Sequence, residues 1–192
     1  MDIQYLSLKI YAERQNSSLE AFIPVFHSWI QEDACEELLI DVANYSHVPA
    51  GPGVMLIAHE ANYAVEFGAE NRFGFLYKTK IKMDGSNLEK LQRVFQQTLK
   101  AAIRLQEARH VTTFLPYIFR LVFDRRSGIE NTNKDFLELN PALVQFAKLL
   151  TGSDAFKLSR VSQNPRERLT IEITNSGEQA DIGKLLQNIE TN

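Results

Sequence analysis

Several segments of the chain alternate hydrophobic and polar residues with the two-residue period of half-buried β-strands. In the first of them, residues 5–11, Leu6, Leu8 and Ile10 share one face. The same alternation predicts strands at Tyr63–Phe67 and Phe73–Ile81, and further strands are predicted at Leu38–Val42, Val54–Ala58, Tyr117–Phe123, Phe156–Val161 and Leu169–Ile173. Because Val54–Ala58 is apolar throughout, the pattern predicts a central strand that is buried on both faces.

Other segments repeat apolar residues at the 3.6-residue spacing of amphipathic helices. The clearest helix is predicted from Leu88 to Ala108, and two more from Asn140-Pro141 to Gly152 and from Ala180 to Ile189. A fourth follows the capping-box pattern Ser17-Ser18-Leu19-Glu20. There Pro24 either kinks a helix that begins at Ser18 or is the first residue of a shorter helix.

The predicted order of elements is β-α-β-β-β-β-α followed by β-α-β-β-α. Strands that follow one another without an intervening helix pair antiparallel, so the sequence predicts an α+β fold. We expect one antiparallel sheet with the helices packed on one face. The second part repeats the first without one hairpin, which suggests a degenerate duplication of a β-α-β-β unit. No linker divides the chain, so we interpret residues 1–192 as a single domain.

Composition narrows the class of protein. The chain has 192 residues, of which 44% are hydrophobic, and a single cysteine, Cys35. One cysteine forms no internal disulfide, and its acidic neighbours disfavour a reactive thiolate. The N-terminal residues lack the pattern of a signal peptide, and no apolar run approaches the ~20 residues needed to span a bilayer. We therefore expect a cytoplasmic protein without membrane insertion.

Charge is distributed unevenly along the chain. Residues 1–71 carry 11 acidic and 2 basic side chains, whereas residues 72–109 carry 9 basic and 3 acidic ones. We expect the two regions to be adjacent and to neutralise each other in part. Lys78, Lys80 and Lys82 are predicted to form a solvated row on one strand face, where lysines discourage edge pairing. With a pI of about 5.8, nucleic-acid binding is not expected.

The segment from residue 44 to residue 63 is the most informative for function. It holds two of the four histidines, His47 and His59, at the two ends of one predicted strand and its entry loop. Gly51 and Gly53 flank a proline, where the backbone either approaches a ligand closely or makes a tight corner. Ordered loops on a rigid sheet commonly carry binding residues. The candidate binding residues for a ligand or partner are His47, Gly51, Gly53, His59, Glu60 and Tyr63.

Two interpretations of this segment remain open. His59 with Glu60, or His47 with Asp41, has the residue types of a general base and its orienting partner. Alternatively, His59 ends a buried strand and Glu60 lies in solvent. Tyr63 occupies the position at which the zinc-protease helix pattern needs a second histidine, so no metal site is predicted. We expect His47 and His59 to lie at a surface depression or at a subunit interface.

The segments 22–31 and 47–60 resemble a family of small uncharacterised bacterial proteins, a resemblance that covers most of the N-terminal half and implies no activity. The duplicated β-α-β-β order is similar to that of gyrase-inhibitor-like and SOUL haem-binding proteins, which hold small apolar or aromatic ligands on a concave sheet.

The leading hypothesis is a non-enzymatic small-ligand-binding or protein-interaction protein of the bacterial cytoplasm that self-associates as a homo-oligomer. The alternative is a small enzyme that uses His47, His59 and Glu60 for acid–base chemistry. The sequence identifies no cofactor and no partner.

Overall fold

The structure is a computed structural model that describes residues 1–13, 18–108, 111, 113–177 and 181–191. The strands are β1 (Leu6–Ala12), β2 (Leu39–Tyr45), β3 (Gly53–Ala58), β4 (Ala61–Glu66), β5 (Gly74–Thr79), β6 (Phe114–Phe123), β7 (Phe156–Arg160) and β8 (Thr170–Asn175). The helices are α1 (Ile23–Gln31), α2 (Asn87–Glu107), α3 (Asn133–Thr151) and α4 (Ile182–Glu190). The predicted order of elements and the α+β class are confirmed.

All eight strands belong to one antiparallel sheet in the order β2-β3-β4-β5-β1-β6-β8-β7. The two first strands of the predicted repeats, β1 and β6, pair at its centre. In the first repeat the last strand, β5, lies next to the first strand, β1, and is followed by α2. In the second repeat β8 lies next to β6 in the same way and is followed by α4. The strand order is therefore symmetrical about the β1–β6 pair, except that the first repeat carries the additional hairpin β2–β3.

The helices cover one face of this sheet, as predicted. Helix α1 packs on β2 and β3, and α2 packs on β5 and β1. The residues that point to this side are apolar and buried, among them Leu8 of β1 and Leu121 of β6, which are paired across the centre. They form one core with the apolar faces of the helices. None of the helices among the described residues is both long and apolar enough to cross a membrane.

The prediction for Val54–Ala58 is wrong in part. This segment is a strand, β3, but it is the second strand from the edge and not a central one. Val54 and Leu56 are fully buried on the helix face, while Met55 and Ile57 are only half-buried on the other face. A run of apolar residues looks the same whether helices cover both faces of the strand or only one. The predicted burial of the second face of β3 was therefore too high.

The face without helices carries a charged network at its centre. Lys9 of β1 is only 3% exposed. Its Nζ lies 3.2 Å from Glu66 Oε1 and 2.8 Å from Glu70 Oε1. Arg120 of β6 joins Glu70 to Glu172 of β8 at 3.2 and 2.8 Å. The turn between β4 and β5 thereby folds back over β1, and ion pairs together with the buried Tyr11 ring cover this face of the sheet centre.

Three helix boundaries differ from the prediction. Helix α1 begins at Ile23 after a 3-10 turn, and Pro24 lies in its first turn. Of the two predicted alternatives, the shorter helix is therefore the one that forms. Helix α3 begins at Asn133 and contains Pro141, because the Thr132 hydroxyl accepts a hydrogen bond from the Asp135 N–H and caps an earlier start. Helix α4 begins at Ile182, and the predicted first residue, Ala180, lies outside the described residues.

Ion pairs join the acidic and basic regions of the chain, in agreement with the predicted neutralisation. Lys90 pairs with Asp2, Lys100 with Glu36 at 2.8 Å, and Arg104 with Glu32 at 3.8 Å.

The predicted row of solvated lysines is wrong, because β5 ends at Thr79 and only Lys78 lies within it. The Nζ of Lys80 instead donates a hydrogen bond to the carbonyl of Ala58 at 2.6 Å.

Candidate functional site

His47 lies in the connection between β2 and β3 and is exposed. The two glycines of this connection make tight corners, the second of the two alternatives that the sequence left open. A Cβ atom on Gly51 would lie 2.8 Å from Val48 Cβ. Gly53 has a φ of +63°, and a Cβ there would lie 2.1 Å from the carbonyl oxygen of Val65. Neighbouring atoms of the protein, and not a ligand, therefore leave no room for a side chain at Gly51 and Gly53.

His59 and Glu60 form the turn between β3 and β4, and both are exposed. His47 lies beyond the opposite end of β3, which has six residues and therefore spans roughly 20 Å. The structure accordingly keeps His47 apart from His59 and Glu60. The other predicted partner of His47 is engaged elsewhere, since Asp41 Oδ1 accepts a hydrogen bond from the Val42 N–H at 2.8 Å.

A polar cleft of about 560 Å³ opens beside the β3–β4 turn. It lies between the loop that joins α1 to β2 and the first half of α2, with Tyr77 of β5 at its base. Its lining residues are Glu36, Glu37, Glu60, Tyr77, Glu89, Gln92, Arg93, Gln96 and Gln97. Of the six predicted site residues, only Glu60 belongs to this lining. The volume falls within the range of small-molecule sites, roughly 300–1,000 Å³.

Glu37 builds the corner of the cleft. Its Oε2 accepts hydrogen bonds from the backbone N–H groups of Glu60 and Ala61 at 2.7 and 3.0 Å. Its Oε1 accepts a hydrogen bond from the Tyr63 hydroxyl at 2.8 Å. One carboxylate therefore ties the α1–β2 loop to the β3–β4 turn and to the core. Tyr63, a predicted site residue, is fully buried and positions Glu37, which in turn positions Glu60.

Tyr77 is paired with Tyr63 across β4 and β5, and their ring centroids are 5.0 Å apart. Tyr77 is 5% exposed, yet its hydroxyl has no hydrogen-bond partner among the described residues and the residue lines the cleft. Burial raises the pKa of this hydroxyl, so it is a neutral donor and acceptor. The hydroxyl oxygen is open to the cleft and bonds to no described protein group there, so it is the group at the base of the cleft that a ligand can contact.

Four more polar side chains of the cleft are available to a ligand. Within the described part of the chain, the Glu60 carboxylate and the Arg93 guanidinium form no ion pair, and the amides of Gln92 and Gln96 form no hydrogen bond. The remaining carboxylates are occupied. Glu36 accepts hydrogen bonds from Lys100 and Gln97, and Glu89 accepts them from Ser86 at the start of α2.

Cys35 lies next to this corner and lines a smaller neighbouring cleft of about 300 Å³. Burial raises the pKa of its thiol to about 11, and the carboxylate of Glu37 adds to the shift. The thiol is therefore protonated at neutral pH, which agrees with the expectation that it is not a reactive nucleophile. In the described ranges no three His, Cys, Asp or Glu side chains are grouped so that they could hold a metal ion.

Of the residues that line the cleft, only Glu60 on the β3–β4 turn was predicted from the sequence as a site residue. Glu36, Glu37 and the polar face of α2 were visible only as acidic neighbours of Cys35 and as the solvent side of an amphipathic helix. The available signal was the helix surface itself, which carries Gln92, Gln96 and Gln97 around Arg93 instead of alternating charges. No pattern in the sequence shows that this surface faces Glu60.

Comparison of the chain with models of protein families, with curated proteins and with solved structures gives no match. The resemblance of segments 22–31 and 47–60 to a bacterial family therefore stays a prediction, as does the similarity to gyrase-inhibitor-like and SOUL proteins.

Proposed function

We propose that this chain is a non-enzymatic small-ligand-binding protein of the bacterial cytoplasm and that its site is the polar cleft beside the β3–β4 turn. The ligand contacts Tyr77 at the base, Glu60 on the turn and Arg93 on α2. The lining is mostly polar, so the ligand is a polar molecule.

The unpartnered hydroxyl of Tyr77 carries this proposal. Among the described residues, it is the one group at the base of the cleft that reaches into the cleft from the core, whereas the neighbouring Tyr63 hydroxyl is engaged by Glu37, although the two rings are adjacent in the same sheet. The Tyr77 oxygen is open to the cleft, so a ligand that bonds to it takes the place of water there.

The two tyrosines form a matched pair for a test. We expect Tyr77→Phe to weaken ligand binding by about 1 kcal/mol, or roughly fivefold, and to leave the melting temperature unchanged or slightly higher. We expect Tyr63→Phe to lower the melting temperature, because Glu37 loses a hydrogen bond there. The measurements are thermal unfolding, and mass spectrometry of the small molecules that co-purify with each variant from the native host.

The proposal requires a small molecule that is recovered with the wild type and is reduced with Tyr77→Phe. Recovery of no small molecule with the wild type would contradict it. A marked loss of stability in Tyr77→Phe would also contradict it, since the hydroxyl would then have a structural partner.

An acid–base enzyme that uses His47, His59 and Glu60 together is less well supported. His47 is separated from the other two by the length of β3, and neither histidine lines the cleft. An enzyme of this kind needs a pocket into which at least two of these side chains converge.

Self-association has a specific observation in its favour. Strand β2 is an edge of the sheet, and the residues on and next to it include exposed apolar side chains, of which Leu38 and Ile40 are 66% and 53% exposed. Unprotected apolar edges pair readily with a second strand. Asp41 is the only charged residue of β2, so antiparallel pairing of two copies brings few like charges together. We propose a homodimer along β2.

We expect the wild-type chain to elute as a dimer and Ile40→Lys to elute as a monomer, because a charge on an edge strand opposes pairing. The measurement is size-exclusion chromatography with light scattering. Leu137→Lys is the matched control, since Leu137 is 66% exposed on α3, away from β2. A monomeric wild type, or a dimer that survives Ile40→Lys, would exclude pairing along this edge.

A further inference from the structure

We infer that the ligand of the polar cleft is a zwitterion, an α-amino acid with a polar, uncharged side chain. This inference rests on the proposed function and adds the chemical class of the ligand to it.

The charged groups of the cleft that lack a protein partner have opposite signs. Glu36, Glu37 and Glu89 already accept hydrogen bonds from other groups of the protein. Among the described residues that line the cleft, this leaves the carboxylate of Glu60 and the guanidinium of Arg93 without an ion pair. A ligand that satisfies both therefore carries an ammonium group for Glu60 and a carboxylate for Arg93.

These two charges converge on one small recess. The recess opens beside the cleft, has a volume of about 20 Å³ and is bordered by Glu60, Tyr77 and Arg93, which also line the cleft. It has room for about one water-sized group. The two charges of the ligand must therefore lie close together, as they do in an α-amino acid, where one carbon atom carries both the ammonium group and the carboxylate.

Lys82 adds a second cation to the recess. It borders the recess and forms no ion pair within the described part of the chain. Lys82 and Arg93 together favour a carboxylate on the ligand, and Glu60 favours an ammonium group. The Tyr77 hydroxyl is neutral, so it is able to donate a hydrogen bond to the first or to accept one from the second. A ligand with ammonium groups alone would leave both cations unpaired, and a ligand with carboxylates alone would leave Glu60 unpaired.

The rest of the cleft favours a polar, uncharged side chain on the amino acid. The cleft has a volume of about 560 Å³, which accommodates a side chain of several atoms. Gln92 and Gln96 of α2 line it, and their amides each offer donors and an acceptor. The carboxylates of Glu36 and Glu89 would repel an acidic side chain. Their hydrogen bonds to Lys100 and Ser86 leave them little attraction for a basic one.

Three probes that share one side chain test the inference: L-glutamine, N-acetyl-L-glutamine and L-glutamine α-amide. The second lacks the ammonium group and the third lacks the carboxylate, so each leaves one charged hydrogen bond unmade. We expect calorimetric titration of the wild type at about pH 6.5, where the α-amino group is protonated, to show L-glutamine binding at least roughly tenfold more tightly than either derivative.

Two variants assign the charges of the ligand to their partners. In Glu60→Gln, L-glutamine and N-acetyl-L-glutamine should bind within about threefold of each other, since the ammonium group has lost its carboxylate. In Arg93→Gln the advantage of L-glutamine over the α-amide should shrink by at least roughly threefold, since Lys82 alone remains for the carboxylate. Glu130→Gln and Arg166→Gln are the matched controls, at exposed residues outside the cleft, and should preserve both differences.

Equal or tighter binding of either derivative to the wild type would overturn the zwitterionic class and would leave the cleft as a ligand site. If none of the three probes binds, or if Glu60→Gln and Arg93→Gln preserve the wild-type differences between them, the amino-acid inference is rejected. The proposed function is then decided separately, by recovery of a small molecule that depends on the Tyr77 hydroxyl.

Discussion

Replacing Lys9 with methionine should lower the free energy of unfolding by about 3–5 kcal/mol, the usual loss when one partner of a buried ion pair is removed. The methylene stem keeps its volume, but Glu66 and Glu70 lose the ammonium group that lies between them. The carbonyl of Phe67 also loses a hydrogen bond, of 3.1 Å, from the same Nζ. Urea unfolding measures the change, with the fluorescence of the buried Trp29 as its signal.

Lys78→Met is the matched control for this substitution. Lys78 lies on the same helix-free face of the sheet, in β5, and forms no ion pair with any described residue. We expect it to change the free energy of unfolding by less than about 0.5 kcal/mol. A loss below about 1 kcal/mol in Lys9→Met would show that the charged network contributes little to the fold.

The effect of Lys9→Met should also depend on pH. Burial raises the pKa of Glu70 and the hydrogen bond from Lys9 lowers it, with a net shift below the usual value. A carboxyl group whose pKa is lowered by folding stabilises the protein above its unfolded pKa, and this stabilisation is lost as pH falls through its folded pKa. Burial raises the pKa of Glu66, the other carboxyl group that Lys9 pairs with. The difference in stability between wild type and Lys9→Met should therefore shrink as the solution is acidified through the pKa values of Glu66 and then Glu70.

Elements with strong local signals were predicted well from the sequence. Helix α2 was expected at Leu88–Ala108 and lies at Asn87–Glu107, because its long apolar stripe follows a complete capping box between Ser86 and Glu89. The start of α3 was predicted too late, because Asn140-Pro141 has the residue types of a cap and first turn. The true cap, Thr132, lies eight residues earlier. Pro141 is tolerated inside the helix, and the residue four positions before it, Leu137, is 66% exposed, so water can reach that turn.

The candidate site could be predicted only in part, because long-range contacts build it. Glu60 was singled out from its own segment. Its neighbours in the cleft come from residues 36–37, from Tyr77 and from α2, and they meet only because β4 and β5 pair and α2 crosses them. The contact of Glu37 with the β3–β4 turn spans more than 20 positions in the sequence, a distance over which local spacing carries no information.

Strand β3 shows the same limit on a smaller scale. The apolar run Val54–Ala58 correctly indicated a strand, but its position in the sheet and the burial of its second face depend on the pairing of β2 and on where the helices lie. Leu56 and Ile57 are neighbours on opposite faces of this strand. Truncating each of them therefore compares how much burial on each face contributes to the free energy of unfolding.

We expect Leu56→Ala to lower the free energy of unfolding by about 2–5 kcal/mol, because Leu56 is fully buried on the helix face and its truncation leaves a cavity. Ile57→Ala removes a side chain of similar size from the helix-free face, where Ile57 lies between Asp41 and Asn62, and should cost only about 1 kcal/mol. Denaturant unfolding of the two variants at low protein concentration provides the comparison. A loss below about 1 kcal/mol for Leu56→Ala would contradict its place in the core. Equal and large losses for both variants would mean instead that the helix-free face is covered in solution.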